Sequence, residues 1–154
     1  MRYLRQQYGS ICGPISVINA AKWAGLHLTK DDIPRLSERC EIANDQGTTI
    51  ENLSKVLTEE ISDVAAVQFM GPLNADTVLS LLKNSPNRAF ILKYYHGEPA
   101  WHYVFCFREN SRTINVVNHY RGNPTVKKYS IRTFFAEYPP KDGEGIEGWL
   151  LARL

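Results

Sequence analysis

Residues 13–24, Gly-Pro-Ile-Ser-Val-Ile-Asn-Ala-Ala-Lys-Trp-Ala, constrain this chain more than any other stretch. Pro14 suits the first turn of a helix, and Gly25 stands where a helix end favours a left-handed residue. Between them Ile15, Val17, Ile18, Ala20, Ala21, Trp23 and Ala24 wrap most of the circumference. Only Ser16, Asn19 and Lys22, at i+3 spacing, leave a narrow polar stripe. A helix apolar on nearly every side belongs in the middle of a domain, so the remaining residues must enclose it.

The enclosing residues change character halfway along. Thr29-Lys30-Asp31-Asp32 reads as a capping box before a short amphipathic helix with Ile33, Leu36 and Cys40 inward. Thr48-Thr49-Ile50-Glu51 opens another helix with Ile50, Leu53, Val56 and Leu57 inside. A fourth follows Asn74, burying Val78, Leu79, Leu81 and Leu82. After Asn87 the apolar period becomes two. Ala89–Tyr95, Trp101–Phe107, Arg112–His119, Thr125–Ser130 and Ile146–Leu154 read as strands, with a short helix over Ile131–Tyr138 and an exposed loop over Tyr138–Gly145. The expectation is an α+β domain spanning 1–154, with one helical layer, including the buried helix, on a C-terminal antiparallel sheet.

The 154 residues suffice for one core, and 44% apolar content excludes disorder. Eighteen Lys and Arg against 16 Asp and Glu are scattered, giving no stripe for nucleic acid and no membrane patch. No apolar run approaches the roughly 18–20 residues of a membrane span, and Met1–Gln7 lacks a signal-peptide core. Three cysteines argue for a reducing, cytoplasmic setting rather than a disulfide scaffold.

Cys12 immediately precedes the buried helix, where unpaired N–H groups and the positive dipole end can lower a thiol pKa from about 8.5 to roughly 3.5–7.5. Gly13 leaves room for a substrate backbone. Cys40 and Cys106 read as core thiols. Gln6 or Gln7, in the segment turning into the helix, can supply an amide to a developing oxyanion together with the Cys12 N–H. Thiol chemistry needs an imidazole, and His102 opens a strand in which alternation places His102, Val104 and Cys106 on one face and Trp101, Tyr103, Phe105 and Phe107 on the other. A hairpin centred on Asn110 would set His102 against Asn118, whose amide oxygen could fix the imidazole tautomer. His27, His96 and His119 are weaker candidates. His102 and Cys106 lie roughly 13 Å apart along an extended strand, too far to share a metal ion. No C-x-x-C, H-E-x-x-H or glycine-rich nucleotide loop occurs, so neither a metal nor any other cofactor is expected.

The order Gln6…Cys12-Gly13-Pro14…His102…Asn118 resembles the papain-like cysteine peptidases, most of all the branch that removes double-glycine leaders from bacteriocins, with its stand-alone relatives. Asn19-Ala20-Ala21 before Gly25 and Gly47-Thr48-Thr49 add to the likeness, which runs along nearly the whole chain. It implies a papain-like fold with Cys12 as nucleophile, His102 as general base and acid, Asn118 as imidazole orienter and Gln6 as oxyanion donor. Tyr120, or alternatively Trp101, would shield the Asn–His bond from water. The branch usually carries Asp where this chain has Asn118, and with eleven residues ahead of Cys12 no inhibitory segment is expected. The implied activity is hydrolysis of a peptide or isopeptide bond through a thioester, with a peptide or protein as partner. The same residues suit a deamidase, a transglutaminase-like acyltransferase or an amidase, and a non-catalytic peptide-binding module is the reading from another class.

Overall fold

The apolar helix forms as its sequence requires: α1 (Cys12–Trp23) buries every residue except Lys22, and Gly25 follows with φ +96°. The computed structural model describes residues 2–41, 47–83, 85–97, 100–140 and 145–154. A 3₁₀ turn at Lys30–Asp32 carries the reciprocal Thr29/Asp32 capping box and leads into α2 (Ile33–Arg39). Helix α3 (Ile50–Ile61) is capped by the Thr49 hydroxyl, which accepts from the Asn52 N–H, so its cap lies one residue beyond the Thr48 of the expected box. Asn74 caps α4 (Ala75–Leu82), and Ser130 caps α5 (Ile131–Glu137). Of the expected loop over Tyr138–Gly145, Tyr138 is buried, and residues 141–144 lie outside the described residues.

The strands are β1 (Ala65–Met70), β2 (Arg88–Gly97), β3 (Ala100–Arg108), β4 (Thr113–Val117), β5 (Val126–Ser130) and β6 (Glu147–Arg153). They form one antiparallel sheet in the order β1-β6-β2-β3-β4-β5. The C-terminal strand β6 thus lies between β1 and β2. Strand β1 escapes the sequence reading because its inward positions are few: only Ala65 is fully buried.

Two apolar clusters occupy opposite faces of this sheet. Tyr103, Phe105, Ala89, Ile91, Trp149 and Leu151 pack on α1, α2 and α3. Val104, Cys106, Phe90, Leu92, Tyr94 and Val116 pack on Val78 and Leu82 of α4 and Ile131 and Phe134 of α5. The single helical layer expected from the sequence is therefore two layers, one on each face. Covering both faces explains why β2 and β3 read as near-continuous apolar runs rather than alternating ones. No helix among the described residues is long and apolar enough to cross a membrane.

Candidate active site

The polar stripe of α1 has a use. Asn19, fully buried, accepts from the Leu4 N–H at 2.8 Å and donates to the Leu4 carbonyl at 3.0 Å. This amide pairs both backbone groups of Leu4 as a neighbouring strand would, and Tyr3 packs on Phe105 and Phe107. The N-terminal segment is thereby held along the helix, and Gln6, two residues on, meets Asn118. The chain then turns at Ser10, which adopts φ +70°, and enters α1 at Cys12.

No side chain caps α1, so the first-turn N–H groups of Cys12 and Gly13 stay directed at the thiol. The backbone of Tyr103, the residue after His102 in β3, adds a third hydrogen-bonding amide there. These groups favour the thiolate, yet burial outweighs them and pushes the Cys12 thiol above its ordinary range. This reverses the lowering expected from the helix position alone. Desolvation of a side chain only 5% exposed exceeds what three amide dipoles return. Cys40 and Cys106 are buried free thiols, as expected, with Cys40 raised to about 11 by burial.

Gly13 is also required, for a different reason from substrate access. A Cβ there would lie 2.3 Å from Thr48 Oγ1 and 2.8 Å from Thr48 Cβ, so the vacated space belongs to Thr48. Tyr103 donates its hydroxyl to the Thr48 carbonyl at 2.8 Å, and Trp101 would meet a Cβ on Gly47 at 2.9 Å. The Gly47-Thr48 backbone thus clamps the start of α1 to β3.

On β3, His102 and Asn118 meet, but not as the sequence suggested. The β3–β4 register pairs Phe105 with Val117 and Cys106 with Val116. Its centre is at residue 111 rather than 110, because Asn110 accepts from the N–H groups of Arg112 and Thr113 and lengthens the turn. Continued regularly, this register would set His102 against Tyr120. Instead the chain leaves the ladder after Val117, and Asn118 adopts φ +67°, a left-handed conformation that asparagine tolerates. That excursion turns the Asn118 main-chain carbonyl onto His102 Nε2 at 2.5 Å. The orienting acceptor is therefore the backbone oxygen, not the side-chain amide. A carbonyl only accepts, so Nε2 carries the proton and Nδ1 is left as the basic nitrogen.

The Asn118 amide is committed to Gln6. It accepts from the Gln6 N–H at 3.0 Å and donates to Gln6 Oε1 at 2.8 Å, while Gln6 Nε2 donates to the Tyr8 carbonyl at 3.2 Å. Gln7 donates to the Arg5 carbonyl, at 3.4 Å. Gln6, Asn118 and His102 are thus linked through hydrogen bonds, and Cys12 is reached through the backbone of His102's neighbour. Among the described residues no hydrogen bond joins Cys12 to the His102 ring.

Trp101 and Tyr120, the two expected shields, each pack against another ring. Trp101 packs edge-on to Tyr103 at 4.9 Å with Lys93 over its face. Tyr120 stacks on His96 at 4.0 Å and 10°. His96, a weaker candidate in the sequence, has its ring centre 6.3 Å from that of His102. The strand break expected at Gly97-Glu98-Pro99 includes residues 98–99, outside those described. His119 proves to be fully buried. Its Nε2 meets the Tyr138 hydroxyl at 2.6 Å and its Nδ1 accepts from the Arg121 N–H at 3.2 Å. Nothing in the residue spacing signalled this burial.

Burial lowers His102 to about 4 and His119 to about 3, with neighbouring cations contributing for His119. Both rings are neutral in the folded chain at pH values where an unfolded histidine, with pKa about 6.5, takes up a proton. The unfolded state therefore binds more protons below about 6.5, and stability is full above that pH and falls as the solution is acidified toward pH 4. Melting temperatures measured at pH 7, 5.5 and 4 should fall steadily, with a flatter slope for His119→Gln. A melting temperature unchanged down to pH 4 would contradict this assignment.

No protein-family model matches the chain, and no curated protein matches it in sequence. Among solved structures it is similar to the peptidase domain of Streptococcus ComA, described as a bi-functional ABC transporter involved in a quorum-sensing pathway. The likeness covers 99% of this chain and 100% of that domain, with a TM-score of 0.70 at 19% identity. The chain shares the fold of that domain, in accord with the α+β architecture expected from the sequence.

Proposed function

We propose that this chain is a cysteine peptidase acting through Cys12, His102, Asn118 and Gln6. The observation that carries the reading is the convergence of segments 112 residues apart: Gln6 and Asn118 exchange two hydrogen bonds, Asn118 holds His102, and the backbone of Tyr103, the residue after His102, hydrogen-bonds the Cys12 thiol. The fold it shares with a peptidase domain supports the same conclusion.

The raised Cys12 thiol and the lowered imidazole define the resting state as neutral thiol and neutral base rather than a stored ion pair. His102 Nδ1 takes the thiol proton as Sγ attacks the substrate carbonyl carbon. The oxyanion that forms is met by the N–H groups at the start of α1, with the Gln6 amide alongside. His102 then returns the proton to the leaving nitrogen, the C–N bond breaks, and the acyl group remains on Sγ as a thioester. Water, deprotonated by His102, releases the acid and restores the thiol.

Asn118 serves through its two ends, the carbonyl fixing the Nε2–H tautomer and the amide holding Gln6. Acid quenching during turnover of a peptide library, followed by intact-mass and peptide mapping, should find an acyl adduct on Cys12 and on neither Cys40 nor Cys106. Peptide cleavage with no such adduct would refute the thioester route. Ammonia release without chain cleavage would instead assign a side-chain deamidase.

A further inference from the structure

Beside His102, on the sheet face opposite α1, lies a cavity of about 400 Å³ that the catalytic reading leaves unused. Its walls include His96, Tyr120, Arg121, Tyr138, Pro139 and Pro140. Strand alternation assigns the sides: Cys12 packs with Tyr103, whereas His96, Tyr120 and Tyr138 gather around Tyr94 on the other face. His96, one of these walls, has its ring centre 6.3 Å from that of His102.

The geometry points to a pocket for an aromatic side chain on the amine side of the cleaved bond. This inference rests on the reading of His102 as proton donor to the leaving nitrogen. If Cys12 holds the acyl half, the half attached to that nitrogen departs past His102, toward the cavity. The lining selects by chemistry. His96 and Tyr120, stacked in parallel at 4.0 Å, form one rigid slab, and two prolines and a tyrosine stand among the other walls. Such surfaces favour a flat apolar ring over a small or charged group. The Arg121 guanidinium is neutralised by Glu137 at 2.9 Å and lies 5.2 Å from the Tyr120 ring centre, so this pair offers no unbalanced charge to an ionic substituent.

The pocket can be tested without turnover. Phenylalaninamide and alaninamide, amines differing only in the ring, are titrated into the intact chain and followed by amide chemical shifts. Phenylalaninamide should bind roughly tenfold tighter, about 1.4 kcal/mol, with shifts centred on His96, Tyr120 and Arg121. His96→Ala should erase the difference. Pro140→Glu, which changes an exposed wall residue, should do the same if the first variant fails to fold. Equal affinities, or shifts centred elsewhere, overturn the pocket. Cleavage of a peptide library should also yield new N-termini enriched in Phe, Tyr and Trp. Cleavage without that enrichment overturns the inference and spares the peptidase reading. Absence of any cleavage overturns the peptidase reading and, with it, the assignment to the amine side.

Discussion

Cys12→Ala should leave a folded chain whose peptide-cleaving activity has fallen by at least about 10⁴-fold, a loss of the size seen when a covalent nucleophile is removed. The change deletes one sulfur from a site only 5% exposed. It keeps the helix start intact because alanine is a good helix former and no side-chain cap is lost. Circular dichroism and thermal melting should therefore show a chain close to the parent. His102→Ala should cost nearly as much activity but not additively, since base and nucleophile act as one unit. Retention of parental turnover by Cys12→Ala, with the fold verified, would remove Cys12 from the mechanism.

The second large effect concerns folding. Gly148→Ala should destabilise the chain by about 3 kcal/mol or more, because the new methyl has no place to go. Gly148 pairs with Met70 of β1 on one side and Leu92 of β2 on the other, so its strand is laddered on both edges. A Cβ there would lie 2.0 Å from the Ile91 carbonyl oxygen and 3.1 Å from the Leu92 Cα, both backbone atoms. A flexible side chain could step aside; a laddered strand cannot without breaking its bonds. Thermal melting should drop by roughly 6–12 °C, using the usual scaling for chains of about this length. Gly9→Ala, whose methyl meets nothing within 4 Å, is the matched control and should melt with the parent. A Gly148→Ala chain as stable as that control would show that β6 is not held between β1 and β2 at this register.

The pattern of burial along a chain reports how each element faces the core, and here it was readable wherever the signal was local. The buried helix, its glycine stop, the caps at Thr29 and Asn74, and the five later strands all follow from residue spacing within a dozen positions. Strand β1 was missed because Ala65–Met70 buries little and its partner is the last strand of the chain, some eighty residues away. The second helical layer was missed because a helix's apolar stripe tells that it packs, not on which face of a sheet.

At the candidate site the sequence determined which residue types are present and in what order: a cysteine before a buried helix, a histidine opening a strand, an asparagine at the end of the next, a glutamine before the turn. Tertiary structure decided what each atom does. A two-residue shift in hairpin register and one left-handed asparagine put the Asn118 carbonyl, rather than its amide, against His102 and freed that amide for Gln6. Burial decided the protonation states, raising the thiol that the helix start alone would lower. Residue identity is a one-dimensional fact, whereas backbone register and desolvation are set by neighbours far away in the chain. The order of the groups was therefore legible in advance, and their charges and contacts were not.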